Sequence, residues 1–289
     1  MWLHGDLPEE VFAGSPFSGD AGVNWKEVAR YWDNNADTWT ELVQAGYDIY
    51  RDHLNTPAFL EILPDVRGLK GLDIGCGEGH NTRLVAERGA IMAAVDASQR
   101  FLHHAIDAEK KKPLKIRYKY ASATDLPFSH DFFDFVMATM SIMEFAELGD
   151  ALKEAYRVLK PGGFFQFSIS HPCFQKLRMH WIDWTDKDGK TERRGVLAGD
   201  YFDAKQGEVI EWLFEATPPE LLEKYEKFKV PVFPHTLTYW LNLLLDTGFI
   251  LERFCEPCPT QEAMEKYPLL RDARIIGAFL HIRCRKPGP

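Results

Sequence analysis

The chain has 289 residues, of which 34 are Lys or Arg and 43 are Asp or Glu, so its formal net charge is −9 with neutral histidines. With 45% hydrophobic and 27% charged residues the composition is typical of a globular protein, which excludes disordered, collagen-like and fibrous chains. The acidic balance disfavours sequence-independent binding to nucleic acid, because that mode needs clustered cations facing the phosphates.

Signals for secretion or for a membrane are weak. No uninterrupted apolar stretch approaches the roughly 18 to 20 residues of a membrane-spanning helix, and the first ten residues carry Asp6, Glu9 and Glu10. The five cysteines are scattered and odd in number, which favours a reducing compartment over a disulfide-stapled fold. We therefore predict a cytoplasmic protein that binds neither membranes nor nucleic acid.

The first quarter of the chain is predicted to be helical. Residues 1–23 hold four glycines and two prolines without a clear period, which indicates a loosely structured arm. Over residues 25–43 apolar side chains recur at helical spacing, and a Thr-Pro pair predicts a second helix over residues 56–63. We expect residues 1–65 to form an N-terminal arm and a helical cap.

After Pro64 short apolar runs alternate with helical stretches. Such alternation is typical of a mainly parallel sheet covered by helices on both faces, so residues 66–289 are predicted to form a Rossmann-like α/β core with seven strands. The predicted strands are 69–74, 91–95, 116–121, 133–138, 163–169, 249–255 and 276–284, and the predicted helices are 81–88, 99–110, 150–159 and 236–246.

Residues 172–235 interrupt this alternation after the fifth strand. The segment contains turn signals at Lys187-Asp188-Gly189 and Pro218-Pro219, together with ten aromatic residues. So many large rings are too costly to leave in water, which indicates that the segment folds back over another part of the protein. We expect an aromatic-rich insertion that forms a lid on the acceptor side of the core.

The most informative segment follows the first predicted strand. Residues 72–80 read LDIGCGEGH, and glycines at such a turn let the backbone approach a ligand closely at a helix N-terminus. Asp96 ends the next strand, where it can accept two hydrogen bonds from a ribose diol. The dinucleotide pattern G-x-G-x-x-G would require glycine at His80, which disfavours a nucleotide-dependent oxidoreductase.

This loop and three later segments, in this order and spacing, resemble the class I S-adenosylmethionine-dependent methyltransferases, and within them the methyltransferase type 11 or UbiE-like group. The later segments are DLPF at 125–128, FFDFV at 132–136 and RVLKPGG at 157–163. The resemblance runs from about Trp32 to Pro257 and is weakest over the insertion. It implies S-adenosylmethionine as cofactor and a small molecule as methyl acceptor.

The resemblance also implies which residues contact the cofactor. Loop amides between Gly75 and Gly79 would meet its amino-acid end, and Asp96 would hold the ribose. Ser122 stands where the family usually has an acid beside the adenine, while Trp39, like Trp32, has core packing as its alternative role. The predicted set is Asp73, Gly75, Cys76, Gly77, Gly79, Asp96, Ala97, Ser122, Ala123, Met140 and, from the N-terminal helices, Tyr31, Trp39, Tyr47 and Arg51.

Methyl transfer from a sulfonium is an in-line displacement, so the protein mainly aligns the reactants and excludes water. An oxygen acceptor usually needs a base near neutral pH, whereas an amine must only arrive unprotonated. The candidate catalytic residues are His171 at the end of the fifth strand, His235 before the returning helix, and Glu144. No metal site is expected, because the Cys255-Glu-Pro-Cys258 spacing lacks a second pair or a nearby histidine cluster.

These observations predict a cytoplasmic enzyme that methylates a small organic acceptor at an oxygen, nitrogen or carbon atom. An aromatic-lined lid favours an acceptor that is planar or cationic. The alternative is a non-catalytic regulatory protein that binds S-adenosylmethionine in the same fold and has lost its acceptor site.

Overall fold

The computed structural model describes residues 22–174, 179–189, 191–199, 201–202 and 205–288. The predicted arm falls almost wholly on residues 1–21 and therefore lies outside the described part of the chain. Helix α1, Trp25–Gln44, begins at a capping box in which the Asn24 side chain accepts from the backbone of Glu27 and the Glu27 side chain bonds back to the Asn24 amide. This local motif fixes where the helical cap begins.

A π-helical turn, Arg51–Asn55, leads directly into α2, and short 3-10 turns lie at Ile142–Glu144 and Pro268–Arg271. The other helices are α2 Thr56–Ile62, α3 His80–Glu87, α4 Gln99–Lys111, α5 Leu148–Val158, α6 Pro219–Leu222, α7 Leu237–Asp246, α8 Gln261–Lys266 and α9 Asp272–Ile275. The strands are β1 Lys70–Ile74, β2 Ile91–Asp96, β3 Arg117–Tyr120, β4 Phe133–Thr139, β5 Leu159–Ser170, β6 Met179–Thr185, β7 Thr191–Ala198, β8 Glu208–Trp212, β9 Phe228–Val232, β10 Ile250–Cys255 and β11 Phe279–Arg285.

Seven of these strands form one sheet in the order β10-β11-β5-β4-β1-β2-β3. The pairs β1–β2, β1–β4, β2–β3 and β4–β5 are parallel, whereas β11 runs antiparallel to both β5 and β10. The predicted Rossmann-like sheet of seven mainly parallel strands is confirmed. Its strand order changes direction beside β1, and ligands bind at such a point in open α/β sheets.

Two apolar clusters cover the two faces of the sheet. Because successive strand residues point to opposite faces, Phe135 packs in the cluster with α2 and α4, while its neighbour Val136 packs in the cluster with α5 and α7. Both side chains are fully buried, and burying such a side chain stabilises the fold by roughly 1.5 to 3 kcal/mol. Helices on both faces therefore hold the sheet edge at the site in place.

Two strand starts differ from the prediction by more than one residue. Strand β5 begins at Leu159, which pairs with Phe133, and the predicted turn around Gly162 is a register shift within the strand instead of its beginning. Strand β11 begins at Phe279 instead of residue 276, because α9 continues to Ile275. Neither difference moves the carboxyl ends of the central strands.

The insertion contributes two antiparallel hairpins. Strands β6 and β7 pair around a turn whose Gly189 amide bonds to the Asp186 carbonyl, where the sequence signalled a turn. Strands β8 and β9 pair with each other and pack against α1. Within the described residues no helix is long and apolar enough to cross a membrane.

Candidate functional site

The glycine loop between β1 and α3 has a backbone that few other residues adopt. Gly75, Gly77 and Gly79 have φ values of 72°, 55° and 85°, all in the left-handed region. A Cβ at Gly75 would lie 2.6 Å from Ser141 Cβ, whereas one at Gly77 would meet no described atom within 4 Å. Gly77 therefore leaves a gap beside the loop that a ligand can enter.

The loop amides differ from the expectation that they face a ligand. Gly75 and Cys76 both donate to the Val95 carbonyl, at 2.9 and 3.1 Å, and Gly77 donates to Asp96. These bonds fasten the loop to the end of β2. These three amides therefore stabilise the shape of the loop. The space available to a ligand is the space beside Gly77, where no side chain stands.

Asp96 connects the loop to α4. Its Oδ2 accepts from the Gly77 amide at 2.8 Å and its Oδ1 accepts from the Ser98 amide at 2.7 Å. Burial raises the pKa of this carboxyl to about 6, although both backbone hydrogen bonds oppose the shift. Each carboxylate oxygen can accept a further hydrogen bond, so Asp96 can hold the loop and bind hydroxyl groups at once.

Asp73, one of the predicted cofactor residues, is buried near the end of β1 and does not line the cavity described next. Its Oδ2 accepts from the Thr82 hydroxyl at 2.6 Å, which ties the end of β1 to α3. Burial raises the pKa of Asp73 to about 7. Gly79 also lies behind the lining, where a Cβ would come within 2.6 Å of the Tyr118 hydroxyl.

A cavity of about 1060 Å³ lies at the carboxyl ends of β1, β2 and β4. Sites for small molecules usually measure about 300 to 1,000 Å³, so this volume leaves room for a second ligand beside a first. Among the described residues that line this cavity, the predicted cofactor residue Tyr31 is absent. The predicted cofactor residues that line it are Gly75, Cys76, Gly77, Asp96, Ala97, Ser122, Ala123, Met140, Trp39, Tyr47 and Arg51.

Arg51 and Trp39, from the N-terminal helical cap, both line the cavity and both have partners within the protein. Arg51 forms ion pairs with Glu78 at 2.9 Å and Asp52 at 2.8 Å, so its charge is already partnered. Trp39 packs edge-to-face with Trp212 and Phe214 of the insertion, at centroid distances of 5.5 and 4.9 Å. Its alternative role in packing is therefore present, and it joins the β8–β9 hairpin to α1.

Ser122 and Met140 form the wall beyond the loop. The Ser122 hydroxyl lies 2.8 Å from the Thr124 hydroxyl and accepts from the Thr124 amide at 3.2 Å. Met140 has a φ of 53° in the left-handed region, which is unusual for a residue with a side chain. Its amide donates to the carbonyl and the hydroxyl of Ser168, at 3.0 and 3.2 Å.

A buried polar network behind Met140 was not predicted from the sequence. The side-chain Nδ2 of Asn55 donates to the Ser168 hydroxyl at 3.3 Å, and the side-chain Oδ1 of Asn55 lies 2.7 Å from Nε2 of His281. Burial lowers the pKa of His281 to about 4, so its ring is neutral and donates this bond. Asn55 ends a π-helical turn, a feature common at functional sites, and it lines the cavity.

Of the three predicted catalytic residues, His171 is not brought to the cavity. Its Nε2 lies 2.8 Å from Glu256 Oε1, and its Nδ1 accepts from the Cys173 amide at 3.2 Å. Both ring nitrogens are therefore occupied by protein partners. In the described residues Ser170, one position earlier, lines the cavity and His171 does not.

His235 and Glu144 both line the cavity. The His235 ring stacks on Tyr239 with centroids 4.2 Å apart, and burial lowers its pKa to about 4. Burial raises the pKa of Glu144 to about 8. Glu144 Oε2 is buried and has no hydrogen-bond partner among the described residues. Glu144 thus combines an unused acceptor atom with an affinity for protons near neutral pH.

The Glu144→Gln variant is expected to be more stable than the wild type at pH 8.5, by about 2 to 4 kcal/mol, and nearly equal to it at pH 5. Because burial raises the pKa of Glu144 from 4.5 to about 8, the folded state binds its proton more tightly than the unfolded chain. Wild-type stability therefore falls as pH rises between these values, whereas glutamine stays neutral. Urea unfolding at both pH values measures the difference.

The exposed Glu220 on α6 provides a control with the same loss of charge. Glu220→Gln should stay within about 0.5 kcal/mol of the wild type at both pH values, as is usual for surface substitutions. A Glu144→Gln curve parallel to that of the wild type from pH 5 to 8.5 would contradict the raised pKa.

Residues 72–167 match the sequence model of a family described as "Methyltransferase domain". The malonyl-[acyl-carrier protein] O-methyltransferase of Salmonella typhimurium is 31% identical over 125 residues, which are 43% of this chain and 48% of that protein. The ubiquinone/menaquinone biosynthesis C-methyltransferase UbiE of Vibrio vulnificus is 32% identical over 117 residues, 38% of this chain and 45% of that protein. The chain spans about half the length of these curated relatives.

Among solved structures, an S-adenosylmethionine-dependent methyltransferase from Mesorhizobium loti is similar over most of the chain. It superposes with a TM-score of 0.62 at 26% identity, covering 79% of this chain and 96% of that one. The similarity therefore extends well beyond the segment that matches the family model.

Proposed function

We propose that the chain is a class I S-adenosylmethionine-dependent methyltransferase that transfers the methyl group of this cofactor to a small organic acceptor. The observation that supports the proposal is the shared cavity. Gly77 and Asp96 line it together with aromatic residues of α1 and of both hairpins of the insertion. A cofactor and an acceptor can thus occupy one cavity.

The residues present fit the cofactor. The open side of Gly77 accommodates a ligand against the loop, and Asp96 has acceptor capacity left for the two hydroxyls of a ribose. When bound, S-adenosylmethionine supplies a methyl group on a positively charged sulfonium. Carboxyl groups in the cavity wall stabilise that charge, because the low dielectric of a buried site strengthens the attraction.

The part of the cavity proposed for the acceptor has aromatic walls. Its walls include Trp25 and Trp32 from α1, Trp181 from β6, and Trp212 and Phe214 from the β8–β9 hairpin. Displacement at a methyl carbon needs little from the protein besides alignment of the reactants, which is worth several kcal/mol of the barrier. Rigid aromatic walls provide this alignment and keep competing water away from the methyl group.

Two measurements test the proposal. Titration calorimetry should show that the demethylated product, S-adenosylhomocysteine, binds at micromolar strength and that NAD does not bind appreciably. With methyl-labelled S-adenosylmethionine and a pool of small metabolites, the label should move into an acceptor only when the protein is present. Absence of S-adenosylhomocysteine binding would overturn the proposal. Binding without transfer to any acceptor would favour the non-catalytic regulatory alternative.

We propose that the insertion is a lid that encloses the acceptor between the N-terminal arm and helical cap of residues 1–65 and the core of residues 66–289. Its two hairpins are attached to different helices. The β8–β9 hairpin is fixed to α1 by the aromatic contacts of Trp39. The β6–β7 hairpin is instead tied to α9 by an ion pair between Arg193 and Asp272. Arg193 also lies over the Trp181 ring, 4.9 Å from its centroid.

Hydrogen exchange is expected to be faster in β6–β7 than in β8–β9 in the protein without ligand, and slower in both when ligands are bound. Arg193→Ala should raise exchange in β6–β7 by about 2- to 5-fold, because a partly exposed ion pair contributes up to about 1 kcal/mol. Arg194→Ala is the matched control, since Arg194 contacts Glu192 and Trp184 within the same hairpin. An equal effect of the two substitutions would contradict the tether to α9.

The cytoplasm is the proposed setting. All five cysteines carry free thiols, as expected in a reducing compartment. The proposed partner is a small-molecule acceptor.

A further inference from the structure

We propose that the acceptor is an apolar primary or secondary amine, cationic at neutral pH, whose nitrogen is held by Glu144 and gives its proton to that residue. The inference rests on the proposed methyl transfer and names the chemical class of its acceptor. Three observations support it. Two carboxyl groups have unused acceptor atoms, the cations of the cavity wall do not offset these carboxyl groups, and the walls are aromatic.

The first observation is the position of Glu144. It ends the 3-10 turn Ile142–Glu144 that follows β4, and this turn packs against β9 of the insertion. Glu144 Oε2 is buried at the cavity wall without a hydrogen-bond partner among the described residues. Buried polar atoms nearly always have a partner, so one left without a partner at a cavity is available to accept a hydrogen bond from a ligand there.

Glu147, one residue before α5, repeats the pattern. Its Oε1 accepts from the Trp25 amide at 3.3 Å, while its Oε2 is buried and lacks a partner in the described part of the chain. Glu147 also lines the cavity. A hydroxyl has one hydrogen to donate, whereas a primary ammonium group has three and a secondary one has two. Two acceptor atoms from residues only three positions apart therefore fit an ammonium group better than an alcohol.

The cations of the cavity wall do not offset these carboxyl groups. Within the described residues the Lys and Arg side chains that line the cavity are those of Arg51 and Lys227. Arg51 is paired with Glu78 and Asp52, and Lys227 is exposed to solvent, which screens its charge. Burial lowers the pKa of the lining His235 to about 4, which leaves that ring neutral. A cation bound beside these carboxyl groups would stabilise their ionised forms, whereas a negatively charged acceptor would keep Glu144 protonated.

Aromatic residues form the cavity wall near Glu144 and Glu147. Trp25 contacts Glu147 through its backbone, and Trp25, Phe145 and Trp32 all line the cavity. Tryptophan faces attract ammonium groups, and apolar walls bury the hydrocarbon part of a ligand. An amine on an aromatic or alkyl frame therefore matches both the charge and the surface of the site.

Methylation of the amine moves one proton and two electron pairs. The ammonium nitrogen gives one proton to the Glu144 carboxylate, and its lone pair then forms the new bond to the methyl carbon. The electron pair of the broken carbon–sulfur bond stays on sulfur and neutralises its charge. Burial raises the pKa of Glu144 to about 8, so its carboxylate can take a proton from a desolvated ammonium. The proton leaves to solvent when the methylated amine departs.

Matched probes test the inference. Tryptamine and its alcohol analogue tryptophol, and phenethylamine and 2-phenylethanol, are titrated at pH 8.5 into the protein saturated with S-adenosylhomocysteine. We expect each amine to bind at least 10-fold more tightly than its alcohol. Glu144→Gln should remove at least 10-fold of the amine affinity and leave the alcohols within about 2-fold, because a lost charged partner affects the cation alone. Glu220→Gln controls for the lost charge and should change neither.

The outcomes separate the two proposals. Equal affinities for amine and alcohol, an amine preference that survives in Glu144→Gln, or no amine binding up to about 10 mM would overturn the amine assignment. Binding of S-adenosylhomocysteine would leave the proposed methyl transfer intact in each case. If S-adenosylhomocysteine itself fails to bind the wild type, the proposed function fails and the amine assignment fails with it.

Discussion

Gly77→Ala is expected to weaken S-adenosylhomocysteine binding by about 10- to 100-fold while destabilising the empty protein by only about 1 kcal/mol. The added methyl group would point into space that no described atom occupies within 4 Å, so in the empty protein its cost is the left-handed φ of 55°. A bound cofactor would fill that space, and the methyl group would then clash. Calorimetry and urea unfolding measure the two effects separately.

Gly68→Ala is the matched control for Gly77→Ala. Gly68 has a φ of 75°, and its Cβ would likewise meet no described atom within 4 Å, but it does not line the cavity. Both variants should lose similar stability, and only Gly77→Ala should lose affinity. Wild-type affinity in Gly77→Ala would mean that the loop does not hold the cofactor.

Asp96→Ala is expected to weaken S-adenosylhomocysteine binding by about 5- to 150-fold, which corresponds to about 1 to 3 kcal/mol for hydrogen bonds to a charged group. The substitution removes the proposed ribose contact and also the acceptor for the Gly77 and Ser98 amides. Asp96→Asn should be almost as damaging. Asparagine has one acceptor oxygen, so its NH₂ group would face one of these two amide donors.

The pH dependence of binding gives a second test of Asp96. Because burial raises its pKa to about 6, the carboxyl takes up a proton as pH falls below that value and loses acceptor capacity. Wild-type affinity should therefore decline from pH 7 to pH 5, whereas Asp96→Asn should show a flatter profile. Asp33→Asn is the control, since Asp33 accepts from Ser98 and Arg100 nearby but does not line the cavity. Unchanged affinity in Asp96→Ala would rule out the ribose role.

Much of the fold could be predicted because its signals are local. Apolar runs ending in glycine or aspartate marked β1 and β2, and the position of Asp96 at a strand end brought it beside the loop. The loop contacts span few residues in sequence or join neighbouring parallel strands. Patterns of this range are visible in one sequence, so most of the predicted cofactor residues line one cavity.

The acceptor side was harder to predict because single positions matter there. Successive strand residues point in opposite directions, so a shift of one residue decides which side chain faces a ligand. At the end of β5 that residue is Ser170, and His171 bonds to Glu256 instead. No local pattern marks a carboxyl oxygen without a partner, as in Glu147, or a contact between distant segments, such as Arg193 with Asp272.

The hydrogen bond between Asn55 and His281 joins residues 226 positions apart, and Arg283 on the same strand donates to the carbonyl of Ile62. The wall behind Met140 therefore contains one partner from β11 and one from the turn before α2. During synthesis on the ribosome the N-terminal partner emerges long before the other exists. Contacts this distant in sequence form late, after the loop-closure entropy has been overcome. A nascent chain that has already built β1 to β5 thus still lacks a finished binding site until β11 is added.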